Sequence, residues 1–341
     1  MYLTEKEIGL EFESAGKSVQ EAIRHGDRVR ELFENKKRCW FIGSGSSHTL
    51  GKSAAAMLLL YCEMDAYAVS AGDMLLHFER YAPVLQDSVV VFMSRSGSTS
   101  EVVKTAELIR RRTNADCVSL CARESSTLDE FCGLNIHIPW AFDESVCQTK
   151  TVGSIYAGLA AIAALVGQNE ELLECLLALP SQEAAFSESI MALVRETAAQ
   201  DWEHVVVLAD SEAAGVMEEG ALAFKEICQL NSNFYNVLDV RHGPMVMIDS
   251  KTFVFILLEE PQKMALDLIT DIKAKGAFCV VGGAHDYQSC ADGNIVVPET
   301  GAVLAGLFSL YFLQLVSLHK AIVQGINPDS PEGLSPWIEI H

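Results

Sequence analysis

The feature that most restricts how this chain can fold is a repeated unit. A short apolar run is followed by a turn of glycines and hydroxyl residues, and then by a stretch of helix length. Cys39 to Ile42 leads into Gly43 to Ser47 and an Ala/Leu-rich segment over 51–62; Ser88 to Met93 leads into Ser94 to Thr99 and an amphipathic segment over 101–112. Apolar runs that alternate with helical stretches are the pattern of parallel strands joined by crossover helices, so the expected class is α/β. A third strand is expected over 116–121, before the turn-like Arg123 to Ser126, and a helix after Glu144 running to Val166.

The order then repeats. His204 to Leu208, Thr252 to Leu258 and Phe278 to Val281 supply three more strands, and the loops after the first two are 209–215 and 259–262. Internal similarity of this kind predicts two related halves, and 341 residues suffice for two domains of ordinary size. The expected boundaries are an N-terminal helix over 1–27, a first domain over 28–167, a helical linker over 168–197, a second domain over 198–324 and an irregular tail over 325–341.

Both loops of the first half are rich in glycines and hydroxyls, whereas those of the second carry Asp210, Glu212, Glu259 and Glu260. Only the first half is therefore expected to hold an anion. Open α/β sheets bind ligands at the carboxyl ends of their strands, where backbone N–H groups and a helix N-terminus favour phosphate. Ser94, Ser96 and Thr99 can add hydroxyl bonds. Taken alone, Gly43 to Ser47 could equally serve as a helix start; the presence of two such loops in one half favours the phosphate reading. Neither loop has the Gly-Lys-Ser/Thr ending of a nucleotide-binding loop or the spaced glycines of a dinucleotide site.

The formal net charge of −21 disfavours nucleic acid and anionic membrane surfaces as partners. The ten cysteines are scattered in apolar stretches and are expected to be reduced, with no metal site, because no second Cys or His pair accompanies Cys117 and Cys121. No stretch of about 20 uncharged apolar residues, of the kind that spans a membrane, is expected in the chain. The segment from Thr4 to Ile23 reads as a charged helix without a signal-peptide core, and the expected address is cytoplasmic.

Gly43 to Ser47, Ser94 to Thr99, the segment from Glu219 through Lys225-Glu226, and Arg241-His242-Gly243-Pro244 together resemble the tandem sugar-isomerase (SIS) family over nearly the whole chain. The layout is similar to the isomerase half of glucosamine-6-phosphate synthase and to stand-alone glucosamine-6-phosphate deaminases and fructosamine-phosphate deglycases; the tail over 325–334 is similar to the deaminase-type ending. The resemblance implies two three-layer αβα domains of flavodoxin-like or Rossmann-like type. It also implies a phosphate held by Ser94, Ser96 and Thr99, with Gly45, Ser46, Ser47 and Arg95 near the sugar. Glu226 would shuttle a proton between C1 and C2 of the open-chain sugar. His242 would open the ring, reaching the site from a partner subunit, so that a homodimer or higher homo-oligomer is expected. No cofactor is implied.

Independently of any family, hydrogen transfer between adjacent carbons needs a carboxylate within reach of both. Glu226, in an otherwise apolar helical run, suits that role, although it could also be a solvated helix-face residue. Two departures bear on specificity: Ala223 stands where synthase-type relatives carry a lysine, and Ser335-Pro336 where they carry a second. Lys150, after Gln148-Thr149, either restores part of that charge or packs between the halves. No glutaminase segment accompanies the repeats, so breakdown of an amino-sugar or amine-adduct phosphate is expected rather than synthesis. The alternative is a non-catalytic sugar-phosphate-binding regulator. The apolar segment over 302–316 serves either a subunit interface or the core.

Overall fold

The computed structural model describes residues 1–297 and 301–334. Three helices open the chain, α1 (Leu3–Ile8), α2 (Glu11–Arg24) and α3 (Gly26–Phe33). Then come β1 (Arg38–Gly43), α4 (Ser46–Cys62), β2 (Asp65–Ser70), the short α5 (Ala71–Leu76) and α6 (Phe78–Tyr81), β3 (Val89–Ser94), α7 (Ser100–Arg112), β4 (Asp116–Cys121) and β5 (Leu134–His137). The helices α8 (Lys150–Val166) and α9 (Glu170–Ala199) lead to β6 (His204–Leu208), α10 (Ala214–Ile227), β7 (Asn231–Tyr235), β8 (Thr252–Leu257), α11 (Lys263–Ala274), β9 (Phe278–Gly283), β10 (Gly293–Val296) and α12 (Gly301–Gln324).

The chain divides into two compact units, each built on one five-stranded, all-parallel sheet. The first, over 9–144 and 148–180, has strand order β2-β1-β3-β4-β5; the second, chiefly 181–334 with 1–8 and 145–147, has order β10-β9-β8-β6-β7. Numbered by their own chain order, both sheets read 2-1-3-4-5. The expected α/β class with two similar halves is thus what the chain forms.

All six strands expected from apolar runs are the central three of their sheets. Strands buried on both faces read as continuous apolar sequence, and every residue of β3 and β8 is buried. The edge strands β2, β5, β7 and β10 (DAYAVS, LNIH, NSNFY and GNIV) gave no such run, because their outward positions are half-exposed or exposed.

Three expectations need correction. The single helix expected over 4–23 is broken after Ile8, where Gly9 is a poor helix-interior residue; α1 groups with the second unit and α2 with the first. The helix expected after Glu144 begins only at Lys150, because the buried Asp143 carboxylate accepts the N–H groups of Thr149 (2.8 Å) and Thr151 (3.0 Å) and so fixes the start there. Finally, α12 is long and apolar enough to cross a membrane by length and composition, contrary to the expectation that no such stretch exists. In the most apolar 18-residue window of this helix, 94% of the residues are buried inside the protein. Phe308 and Phe312 are fully buried, and Leu313 lies against Gly220 of α10. Of the two readings offered for 302–316, α12 fills the core one.

In the first unit α8 is buried on every side, from Lys150 to Leu165. It packs on α2 and α4. Trp140 ties the segment before it to α2, donating its indole N–H to the Ser14 carbonyl and the Ser18 hydroxyl, both at 3.1 Å.

Candidate functional site

A 2-1-3-4-5 sheet changes direction between its first and third strands. The helices after those two strands lie on opposite faces, leaving a crevice at their carboxyl ends. In the first unit that crevice is bordered by the turn from Gly43 to Ser46 after β1 and by the loop over 95–99 after β3, whose strands are neighbours. The structure therefore brings together Gly45, Ser46, Ser47, Ser94, Arg95, Ser96 and Thr99 on two adjacent turns.

The local reasons are specific. Gly45 has φ +55° and caps α4; Ser46 and Ser47 form its buried first turn. Ser94 is buried, and its hydroxyl oxygen accepts the Gly97 N–H at 2.9 Å, which closes the loop back on the strand end. Gly97 has φ +63°. From behind, the segment after β4 locks the loop: Ala122 N–H donates to the Ser94 carbonyl (3.2 Å) and Leu128 N–H to the Gly97 carbonyl (3.1 Å). The Thr99 hydroxyl makes no cap bond to α7, a helix of 13 residues whose first N–H groups face the loop end. Ser96 and Thr99 are half-buried and Arg95 is buried. Backbone N–H groups, hydroxyls and a helix N-terminus can together neutralise an anion without a lysine.

Lys150 is the first residue of α8 and is buried. The helix start that carries it is fixed by Asp143, through the N–H groups of Thr149 and Thr151, which sequence reasoning missed; the only signal was an acid six residues ahead of a Thr-Lys pair.

In the second unit Glu226 lies in the last turn of α10, half-buried, with Ala223 buried one turn earlier. His242 is exposed between two 3-10 turns, Asp239–Arg241 and Pro244–Met247. Its N–H donates to the Asp239 carbonyl at 2.9 Å, and the neighbouring Arg241 pairs with Asp271. Val246 and Met247 beside it are 80% and 67% exposed. Glu226 and His242 thus sit on separate elements, a helix end and a loop. Ser335 and Pro336, where a lysine was expected to be missing, lie outside the described residues.

The corresponding crevice of the second sheet, between β6 and β8, holds a cavity of about 250 Å³ lined by Asp210, Glu259, Glu260 and Gln262 with Val237, Leu258 and Met264. Burial, reinforced by Glu212, Glu260 and Asp210, raises the Glu259 carboxyl above its ordinary range. Such a wall repels phosphate. All ten cysteines are free, and burial raises thiols such as Cys117 to about 12, far from thiolate chemistry. Among the described residues no His, Cys, Asp or Glu cluster has the makings of a metal site.

Known proteins share this fold. The SIS domain family model matches residues 32–166. Over 333 residues, 92% of this chain, the sequence is 24% identical to a glutamine–fructose-6-phosphate aminotransferase (isomerizing) of Shewanella oneidensis and covers 54% of it. The chain spans about half the length of the curated relatives it matches. Among solved structures, a tagatose-6-phosphate ketose/aldose isomerase from Escherichia coli superposes with a TM-score of 0.83 at 19% identity, covering 99% of this chain and 96% of the other. A glucosamine-6-phosphate deaminase from Thermotoga maritima gives 0.76 at 22% identity, covering 95% and 100%. The chain resembles the tandem SIS proteins, and its fold is that of two SIS-like domains.

Proposed function

We propose that this chain is an aldose–ketose type sugar-phosphate isomerase that also releases an amine, acting on a phosphorylated amino sugar or amine-adduct sugar. The observation that carries the reading is the crevice of the first sheet, where two hydroxyl-rich turns and the start of α7 offer an anion site in a chain of net charge −21. The relatives' printed names, isomerase and deaminase, support the same reaction class.

In this reading Ser94, Ser96 and Thr99 hold the phosphate, and Gly45, Ser46, Ser47, Arg95 and Lys150 line the sugar. The imidazole of His242 takes the proton of the anomeric hydroxyl and returns it to the ring oxygen, opening the ring. The Glu226 carboxylate then takes a proton from one of C1 and C2 and delivers it to the other. His242 acts in a second copy of the chain, making a homodimer or higher homo-oligomer the active form; its exposed setting beside Val246 and Met247 is what favours this. A cytoplasmic address belongs to the same proposal.

The competing reading, a sugar-phosphate-binding regulator without turnover, is favoured by one observation: Ala223 presents no cation to the site and is itself buried. Glu226→Gln separates the two. It keeps shape and hydrogen bonding and removes the base, so an enzyme binds its ligand and loses turnover by at least about 100-fold. Glucosamine 6-phosphate and fructoselysine 6-phosphate are incubated with the protein, and released amine and isomerised sugar are followed. Turnover that survives the substitution rejects Glu226 as the base, and binding without any turnover by the wild type rejects the enzyme reading.

A further inference from the structure

A carboxylate stands behind the loop of Ser94 to Thr99. Asp129 lies in the connection between β4 and β5, within the short 3-10 turn Thr127–Phe131. Its Oδ2 accepts the Ser126 N–H at 2.8 Å and its Oδ1 the Ser126 hydroxyl at 3.0 Å, while the Ser126 carbonyl accepts the Asp129 N–H at 3.1 Å. This is a capping box, the reciprocal closure of a turn by its first and fourth residues.

The turn is anchored to the sheet. His137 at the end of β5 places Nε2 3.1 Å from the same Oδ2, and Asn135 of β5 donates its side-chain N–H to the Asp129 carbonyl at 3.3 Å. Ser119 of β4 in turn donates its hydroxyl to Asn135 Oδ1 at 2.6 Å. Asp129 is thus fixed by the last two strands of the first sheet.

On its other side the turn meets the loop. Leu128, fully buried, donates its N–H to the Gly97 carbonyl at 3.1 Å, and Ser126 packs so closely on Gly97 that a Cβ added there would collide with it. A trans peptide holds its C=O and N–H antiparallel. The Gly97 carbonyl, bonded backward, therefore turns the Ser98 N–H away from the turn, where it reaches the Ser96 hydroxyl at 3.3 Å. That separation is long for an N–H···O bond, and an anion beside Ser96 is a stronger acceptor than a hydroxyl.

We infer that Asp129 is a positioning residue for the anion site: through Ser126 and Leu128 it holds the peptide between Gly97 and Ser98 so that the Ser98 N–H meets the phosphate of the substrate beside the Ser96 hydroxyl. This rests on the reading above that the loop of Ser94 to Thr99 binds the sugar phosphate. It makes phosphate affinity depend on a carboxylate that touches no substrate atom.

The test is calorimetry of the full chain below the melting temperature of every variant, with fructose 6-phosphate, glucosamine 6-phosphate and inorganic phosphate as probes. Affinity and stoichiometry are read separately, which distinguishes a displaced loop from a partly unfolded chain. Removing a negative charge near an anion site strengthens anion binding by Coulomb's law alone, so the positioning role predicts the opposite sign. Asp129→Asn puts an amide where the carboxylate accepts both donors of Ser126, and is expected to weaken every probe that the wild type binds by about fivefold or more at unchanged stoichiometry. Asp129→Glu is expected within about twofold of the wild type, since glutamate closes a capping box from this position. Tighter or unchanged binding by Asp129→Asn overturns the inference, as does a loss confined to stoichiometry, or an Asp129→Glu protein as weak as Asp129→Asn. Should Asp129→Asn fail to fold, Ser126→Ala carries the test: it keeps the N–H and loses the hydroxyl, so weakening by at least about twofold is expected, and its absence overturns the reasoning. A wild type that binds none of the probes sinks the phosphate-loop reading itself, and the inference falls with it.

Discussion

Gly97→Ala is the sharpest probe of the loop that the functional reading depends on. At φ +63° an L-residue carries strain of roughly 1–2 kcal/mol that glycine avoids. The added Cβ also meets Ser126 Cβ at 2.3 Å, Ser126 Oγ at 2.4 Å and Cys121 Sγ at 2.8 Å. Ordinary carbon contacts lie near 3.5–4.0 Å, so the loop or the segment behind it must shift by about 1 Å, and overpacking of this kind costs about 1–3 kcal/mol. Together the destabilisation is about 2–5 kcal/mol. At about 2–4 °C per kcal/mol for a unit of this size, the melting temperature falls by about 4–20 °C. Gly45→Ala separates the two causes: at φ +55° and ψ −128° nothing lies within 4 Å of the new Cβ, so only the backbone strain of this glycine-favoured conformation, roughly 1–3 kcal/mol, remains. Thermal melts followed by circular dichroism report both, alongside calorimetry with fructose 6-phosphate, whose binding weakens in Gly97→Ala because the loop has moved. Combining Gly97→Ala with Ser126→Gly removes the two shortest contacts, and a double-mutant cycle should return at least about 1 kcal/mol of favourable coupling. A Gly97→Ala protein melting within about 1 °C of the wild type, or a cycle without coupling, refutes the packing argument.

Two further outcomes follow from buried or crowded carboxylates. Asp143→Ala strips the start of α8 of the acceptor for Thr149 and Thr151 N–H in a buried site, and should cost about 2–4 kcal/mol in urea unfolding, with Asp143→Asn losing less; an Asp143→Ala value under about 0.5 kcal/mol contradicts its role as the group that fixes the start of α8. Glu259 has a raised carboxyl pKa, so its protonated form is favoured in the folded state; the associated stability is present below the ordinary carboxylate value of about 4.3 and is lost as pH rises through the folded value. Glu259→Gln should therefore raise the melting temperature at pH 7, with the gain vanishing near pH 4, and a pH-independent difference rules that cause out.

Much of the architecture was legible in the chain because fully buried parallel strands leave an unbroken apolar run. Cys39 to Ile42, Val89 to Met93 and Phe253 to Leu257 could hardly be anything else once each was followed by a turn and a helix. The same sequence logic was blind at the sheet edges. Asn231 to Tyr235 and Leu134 to His137 are strands because β6 and β4 offer them hydrogen bonds, and composition does not record a neighbour. The helix α12 shows the reverse failure. Its composition suits a lipid phase as well as a protein core, and only the surrounding unit makes it core.

For the site, residue type and turn position were enough to pick the hydroxyl-rich loops of the first half and the acidic loops of the second, since both follow directly from strand ends. Charge sign is a property of sequence. Which groups meet is a property of the fold. Gly97 sits against Ser126, Asp143 takes the N–H groups at the head of α8, and Arg95 and Arg123 converge on Phe142, although these partners are separated by up to 47 positions. Short-range patterns fixed by backbone periodicity are written in the chain locally. Contacts between the ends of different strands exist only once the sheet has set their order and register.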